Sequence, residues 1–134
     1  MRDATAIVGQ GRHTFEVHED WARPPEGMEV LAASVTVDAE DRVYCFNRNK
    51  EHPVLVFDCE GNFLSSWGAG LFAFPHTIRM SRDDGNLWLV DRDYAQMMLF
   101  DTSGANVHHM VFVCARLPYF TYNTLFVSWT YKER

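Results

Sequence analysis

The sequence predicts an all-β fold: a partial β-propeller of two clear four-stranded blades, with an irregular N-terminal arm and an atypical C-terminal tail. Three observations predict it. Short β-branched and aromatic runs alternate with turns rich in Asp and Gly. No window keeps a helical period for longer than a turn or two. The strand-and-turn pattern also recurs: Phe57 and Phe100 stand 43 residues apart, and the turn Asp58-Cys59-Glu60-Gly61 returns as Asp101-Thr102-Ser103-Gly104. A four-stranded unit repeating every 40–45 residues or roughly so is the period of a propeller blade. One small sheet cannot bury both of its faces, so such units stack and each covers the next.

The elements follow in order. Residues 1–29 form the arm, with one short strand; Phe15, Val17 and Trp21 pad a core edge, and Pro24-Pro25-Glu26-Gly27 marks a turn. The blades occupy residues 30–107. The first is built from Val35-Thr36-Val37, Arg42–Phe46, Val54–Phe57 and Asn62–Trp67, with a loop from Asn47 to Pro53. The second follows with Ile78-Arg79-Met80, Asn86–Val90 and Gln96–Phe100. Trp67, Trp88, Phe57 and Phe100 recur at matching places and are expected in the core between blades. Asp58 and Asp101 precede Gly-containing turns and are expected as turn formers. Residues 108–134 depart from the pattern. The stretch Leu117–Tyr131 is aromatic and uncharged, but Pro118, Asn123 and several Thr interrupt it, and it is too short for a transmembrane helix. It is read either as an irregular third unit or, the favoured reading, as an end unrelated to the blades.

Composition narrows the function classes. With 47% hydrophobic and 22% charged residues the chain is a globular one, not a disordered one. Its formal charge of −6 comes without any basic stripe, which argues against nucleic acid as a partner; a membrane is not expected either. The N-terminus has no long apolar run, so a cytoplasmic location is the default expectation. Cys45, Cys59 and Cys114 are scattered, odd in number and without a Cys-x-x-Cys pair, so free thiols are expected rather than a thiolate metal site. His108 and His109 are adjacent, and neighbours on a strand face opposite sides, so they do not chelate one ion. His52, before Pro53, is read as a loop residue.

Three stretches carry a family likeness. The first is Val35-Thr36-Val37-Asp38 followed by Val43-Tyr44-Cys45-Phe46-Asn47-Arg48. The second is Val54-Leu55-Val56-Phe57-Asp58 with Phe63-Leu64-Ser65-Ser66-Trp67-Gly68. The third is Leu71-Phe72-Ala73-Phe74-Pro75-His76-Thr77-Ile78, running on to Gly85-Asn86-Leu87-Trp88-Leu89-Val90-Asp91. In this order they resemble the catalytic core of the peptidyl-α-hydroxyglycine α-amidating lyases (peptidylamidoglycolate lyases), six-bladed propellers of the wider NHL-repeat class. The third stretch is the most specific, because a Pro-His pair just before a strand is not needed for blade packing.

The resemblance implies an activity and a site. Enzymes of this family cleave peptidyl-α-hydroxyglycine to a peptide amide and glyoxylate, using a zinc held by histidines in the central channel, with a structural calcium deeper on the axis. His76 matches a zinc-binding histidine; neutral imidazole suits zinc, and three such ligands leave a fourth position open. Arg48 matches the active-site arginine, whose guanidinium suits the carboxylate of the glyoxylate moiety. Val35 and Ile78 match positions whose backbone carbonyls face the calcium, a hard cation that takes oxygen ligands. The Asp that closes the second strand of a blade is Asp91 in the second blade and Asn47 in the first.

The chain also departs from the pattern. Thr77 stands where the family has Gly after the histidine, Ala33-Ser34 where many members have His-Gly, and Ala95 near a position that carries a family histidine. The other zinc histidines and the catalytic tyrosine belong to later blades. The expectation is therefore a fragment, inactive alone, whose uncovered blade faces favour self-association and whose substrate is small and peptide-like. The alternative is a non-enzymatic NHL-type propeller segment acting as a binding scaffold.

Overall fold

A computed structural model describes the backbone of residues 6–114 and 125–128, and the side chains of residues 6–105. The described residues contain eleven strands and no helix. All strand ladders are antiparallel. Strands β1 (Ile7–Gln10) and β2 (His13–Glu16) form a hairpin where one short strand was expected. A four-stranded meander follows: β3 (Ala32–Val37), β4 (Val43–Asn47), β5 (Val54–Phe57) and β6 (Phe63–Trp67). The second sheet contains β7 (Pro75–Met80), β8 (Leu87–Asp91), β9 (Gln96–Phe100), β10 (Asn106–Cys114) and β11 (Leu125–Ser128), side by side in that order. Every strand expected between Val35 and Phe100 is present.

Strand β10 changes the boundary. It pairs with β9 from Asn106 to Val111, so the ladder runs straight through the division drawn between 107 and 108. Residues 115–124 and 129–134 of the expected tail, and the side chains of His108, His109 and Cys114, lie outside what is described. Among the described residues no helix is long and apolar enough to cross a membrane.

Alternation along each strand assigns its faces. In the first sheet Tyr44, Phe46, Val54 and Val56 face the second sheet. There they meet Phe72, Ile78, Leu87, Leu89, Met98 and Phe100 in one buried cluster. The opposite face of the first sheet carries Cys45, Leu55 and Phe57, and the arm covers it with Trp21 and Met28. Burial pushes the Cys45 thiol up to about 11, so it stays protonated at neutral pH. Cys59 is exposed.

The two sheets stack in the same sense. The face of the second sheet turned toward the first (Ile78, Leu89, Phe100) is the repeat counterpart of the first-sheet face turned toward the arm (Val35, Cys45, Phe57). The aromatic contacts repeat as well. Trp67 lies 5.2 Å from Phe100, and Trp21 lies 6.1 Å from Phe57. Each tryptophan also seats on a turn glycine: a Cβ on Gly104 would meet the Trp67 ring at 2.7 Å, and one on Gly61 would strike the Trp21 backbone oxygen. The arm thus stands to the first sheet as β6 stands to the second. Hydrogen bonds from Arg23 to the Glu60 oxygen (2.7 Å) and Asn62 Oδ1 (2.8 Å) hold it there. The aromatic set expected between units therefore divides. Trp67 and Phe100 lie between the sheets, Phe57 lies under the arm, and Trp88 alternates with Leu87 and Leu89 toward the far face of the second sheet.

A buried carboxylate closes the β3–β4 turn. Asp38, its side chain 4% exposed, accepts from the backbone N–H groups of Glu40 and Arg42, from Arg42 Nε at 2.7 Å and from the Tyr44 hydroxyl at 3.0 Å. Burial alone would raise its pKa, but the hydrogen bonds from Arg42 and Tyr44 outweigh that and hold it below 3.8. Burial, then the bond to Asp38, pushes the Tyr44 hydroxyl up to about 12. Asp38→Ala strands the Tyr44 hydroxyl and is expected to cost roughly 1–3 kcal/mol. Because the folded pKa lies below the unfolded one, this stability is complete above about pH 4 and is lost as pH falls through the folded value. Thermal melts at pH 7 and pH 3 check it: the gap between wild type and Asp38→Ala should shrink at pH 3. Equal melting temperatures at pH 7 would contradict the assignment.

Candidate functional site

One end of the sheets gathers the candidate residues, and the repeat explains how. Strands β3 and β7 each open with a register shift, between Ala32 and Ser34 in one ladder and between Pro75 and Thr77 in the other. Ala33 and His76 are thus equivalent bulged residues. A bulge leaves one residue out of the ladder and re-aims it. His76 is exposed there, and its Nδ1 lies 3.1 Å from the Thr77 hydroxyl. That contact engages one ring nitrogen and leaves Nε2 for a ligand.

Two buried polar side chains anchor this end. Asn47 closes β4: its Oδ1 accepts from the Leu31 N–H (2.6 Å), and its Nδ2 donates to the backbone oxygens of Glu29 and His52 (both 3.1 Å). Asp91 closes β8 and accepts from the N–H groups of Phe74 and Tyr94, both at 2.8 Å. Each anchor therefore fixes the segment that leads into its sheet.

An arginine follows each anchor. The Arg48 N–H donates to the Leu31 oxygen and the Arg92 N–H to the Phe74 oxygen, both at 3.0 Å. Both guanidinium groups then converge on one ring. Arg48 Cζ is 4.3 Å and Arg92 Cζ 3.7 Å from the centroid of Phe74, within cation–π range. Phe74 stands two residues before His76 in the segment that leads into β7. Arg92 and Phe74 were not singled out from the sequence. The signal was available: Asn47-Arg48 and Asp91-Arg92 end the second strands of successive units.

The remaining predicted positions are set apart. Val35 and Ile78 occupy equivalent ladder positions, opposite Cys45 and Leu89. The Val35 side chain is exposed and that of Ile78 is buried, and the Ile78 carbonyl accepts from the Ser34 hydroxyl at 3.5 Å. Strands β3 and β7 run alongside each other in the same direction, as the Ser34–Ile78 contact and the Thr36–Met80 hydrogen bond (3.0 Å) require. His52, in the loop before β5, is tied to β6, its Nδ1 being 2.8 Å from the Ser66 hydroxyl. Asp58 and Asp101 accept from the side chains of Asn62 and Ser103 and from backbone N–H groups two and four residues on, and these bonds lower both pKa values.

The donor set does not fit a zinc site by itself. Zinc needs three or four ligands, and no three His, Cys, Asp or Glu side chains come together among the described residues. His76 offers one. A shallow cavity lined by Val37, Asp38, Arg42, Met80 and Arg82 lies at the opposite ends of β3 and β7 and plays no part in this site.

No protein-family model matches the chain, and no curated protein matches it to a significant degree.

Proposed function

We propose that the chain is part of an NHL-type β-propeller of the peptidylamidoglycolate lyase kind, with its blades between residues 30 and 107. It contributes the carboxylate-binding arginine Arg48 and one histidine, His76, to a site it does not complete alone. One observation carries this reading: Arg48, from the first unit, lies over the ring of Phe74, in the segment of the second unit that leads two residues on to His76. The same-sense stacking of the sheets and the parallel course of β3 and β7 support the propeller. So do Val35 and Val37, 57% and 48% exposed on a face that suits a further unit or a second copy of the chain.

In this reading the Arg48 guanidinium holds the carboxylate of a peptidyl-α-hydroxyglycine through charge-assisted bonds. That fixes the reacting carbon relative to the His76 segment. Zinc and calcium belong to the family activity; the remaining zinc ligands and the base come from units beyond these two, and the Val35 and Ile78 carbonyls are the proposed calcium contacts.

Titration calorimetry with α-hydroxyhippurate tests it. Arg48→Gln is expected to weaken binding about tenfold, the loss of one charge-assisted interaction, and no glyoxylate should form with the 134-residue chain. Unchanged affinity in Arg48→Gln would overturn the role of Arg48. Robust glyoxylate release by this chain, abolished by His76→Ala, would overturn the partial site. The alternative is the non-enzymatic scaffold reading. It predicts that His76→Ala changes neither ligand binding nor zinc uptake.

A further inference from the structure

The second arginine has no role in the reading above, and its placement calls for one. Arg48 and Arg92 hold their guanidinium carbons over the same ring, so the two charges stand no farther apart than their distances to Phe74 taken together. Like charges repel at such range, and a chain of net charge −6 has carboxylates to spare for neutralising them. Only one is used. Arg92 Nε meets Asp93 Oδ1 at 2.7 Å, while Arg48 makes no ion pair among the described residues. Stacking engages the face of a guanidinium and leaves its in-plane N–H donors open to an anion. The backbone is fixed around both groups, because the Arg92 N–H is bonded to the Phe74 oxygen and Asp91 grips the Phe74 N–H.

We infer that Arg92, seated on Phe74, is a second positioning arginine, and that Arg48 and Arg92 form a clamp for a single carboxylate of the ligand, with Asp93 as an internal competitor for it. The inference rests on the reading of Arg48 as a carboxylate binder. The clamp spans two repeat units, so the carboxylate would be held across their junction. The Asp93 contact is exposed and weak, as surface ion pairs are, and a ligand carboxylate displaces it at little cost.

The experiment is an NMR titration of the 134-residue chain with α-hydroxyhippurate and, separately, with its methyl ester. The same spectra report whether each variant is folded. Arg92→Gln is expected to weaken binding of the acid about tenfold. Asp93→Asn, which frees Arg92, is expected to tighten it about two- to fivefold. The ester, lacking the charge, should leave the signals of Arg48, Phe74 and Arg92 in place. A merely structural Arg92 would not give the opposite sign at Asp93. If Arg92→Gln binds normally while Arg48→Gln does not, the clamp is wrong and the role of Arg48 stands. If Arg48→Gln binds normally, both are wrong. An Asp93→Asn variant that binds no better removes the competitor, and no saturable shift in the wild type removes the clamp altogether.

Discussion

Phe100→Ala is expected to remove about 3–5 kcal/mol of stability, the range for deleting a large aromatic side chain from a core. A domain of this size holds only about 5–15 kcal/mol in total, so the variant should be largely unfolded in mild denaturant. The site explains the size of the effect. Phe100 is fully buried and cross-strand from Leu87, with Trp67 at 5.2 Å and Phe72 at 6.1 Å. It therefore joins β9 to both β6 and the segment before β7. Neither sheet can collapse into the gap without giving up its register. Phe15 is the control: it lies 64% exposed on the hairpin, and Phe15→Ala should change stability by no more than about 0.5 kcal/mol. Urea melts followed by tryptophan fluorescence report both. Similar midpoints for Phe100→Ala and wild type would show that the sheets do not depend on their shared core.

That contrast also marks what could be read from the sequence. Strands β4 to β9 were legible because Val43–Phe46, Val54–Phe57 and Gln96–Phe100 are short apolar runs with turn residues on either side. The starts of β3 and β7 were not. Both begin before their apolar residues, at Ala32 and Pro75, because the bulges at Ala33 and His76 carry the chain into the ladder without any hydrophobic signal. The β1–β2 hairpin gave little signal for a related reason: its side chains are exposed, so no apolar alternation had to be kept. Strand β10 starts at Asn106 with a register shift, which masked its continuity with the second unit.

At the site, Arg48 and His76 were expected from the resemblance, and Arg48 lies over the ring of Phe74, two residues before His76. Phe74 and Arg92 were not, because a cation–π stack leaves no spacing rule in the chain. What could have exposed Arg92 was the Asn47-Arg48 and Asp91-Arg92 correspondence. It stands 44 residues apart where the flanking strands stand 43 apart, the extra residue lying in the turn before β8.

The same two anchors carry the sharpest test of the repeat. Asn47 and Asp91 hold equivalent positions and both are fully buried, yet they are not interchangeable. Asn47 accepts one hydrogen bond and donates two, to the oxygens of Glu29 and His52. Asp91 only accepts, from the N–H groups of Phe74 and Tyr94. An ionised carboxylate has no donor to offer. Asn47→Asp would set a buried negative charge against two carbonyl oxygens, and it is expected to cost about 3–5 kcal/mol, as uncompensated buried charges do. Asp91→Asn keeps one acceptor oxygen and turns an NH2 group toward an N–H, a neutral mismatch costing about 1–3 kcal/mol. The swap is therefore asymmetric. The Asn47→Asp penalty should also shrink in acid, because a carboxyl that is costly to ionise in the fold takes up its proton more readily than in the unfolded chain. Paired urea titrations at pH 7 and pH 4 measure all four values. If Asp91→Asn proved the more damaging change at pH 7, the donor and acceptor assignments at these anchors would be reversed, and with them the reason the Phe74 segment, its two arginines and His76 sit where they do.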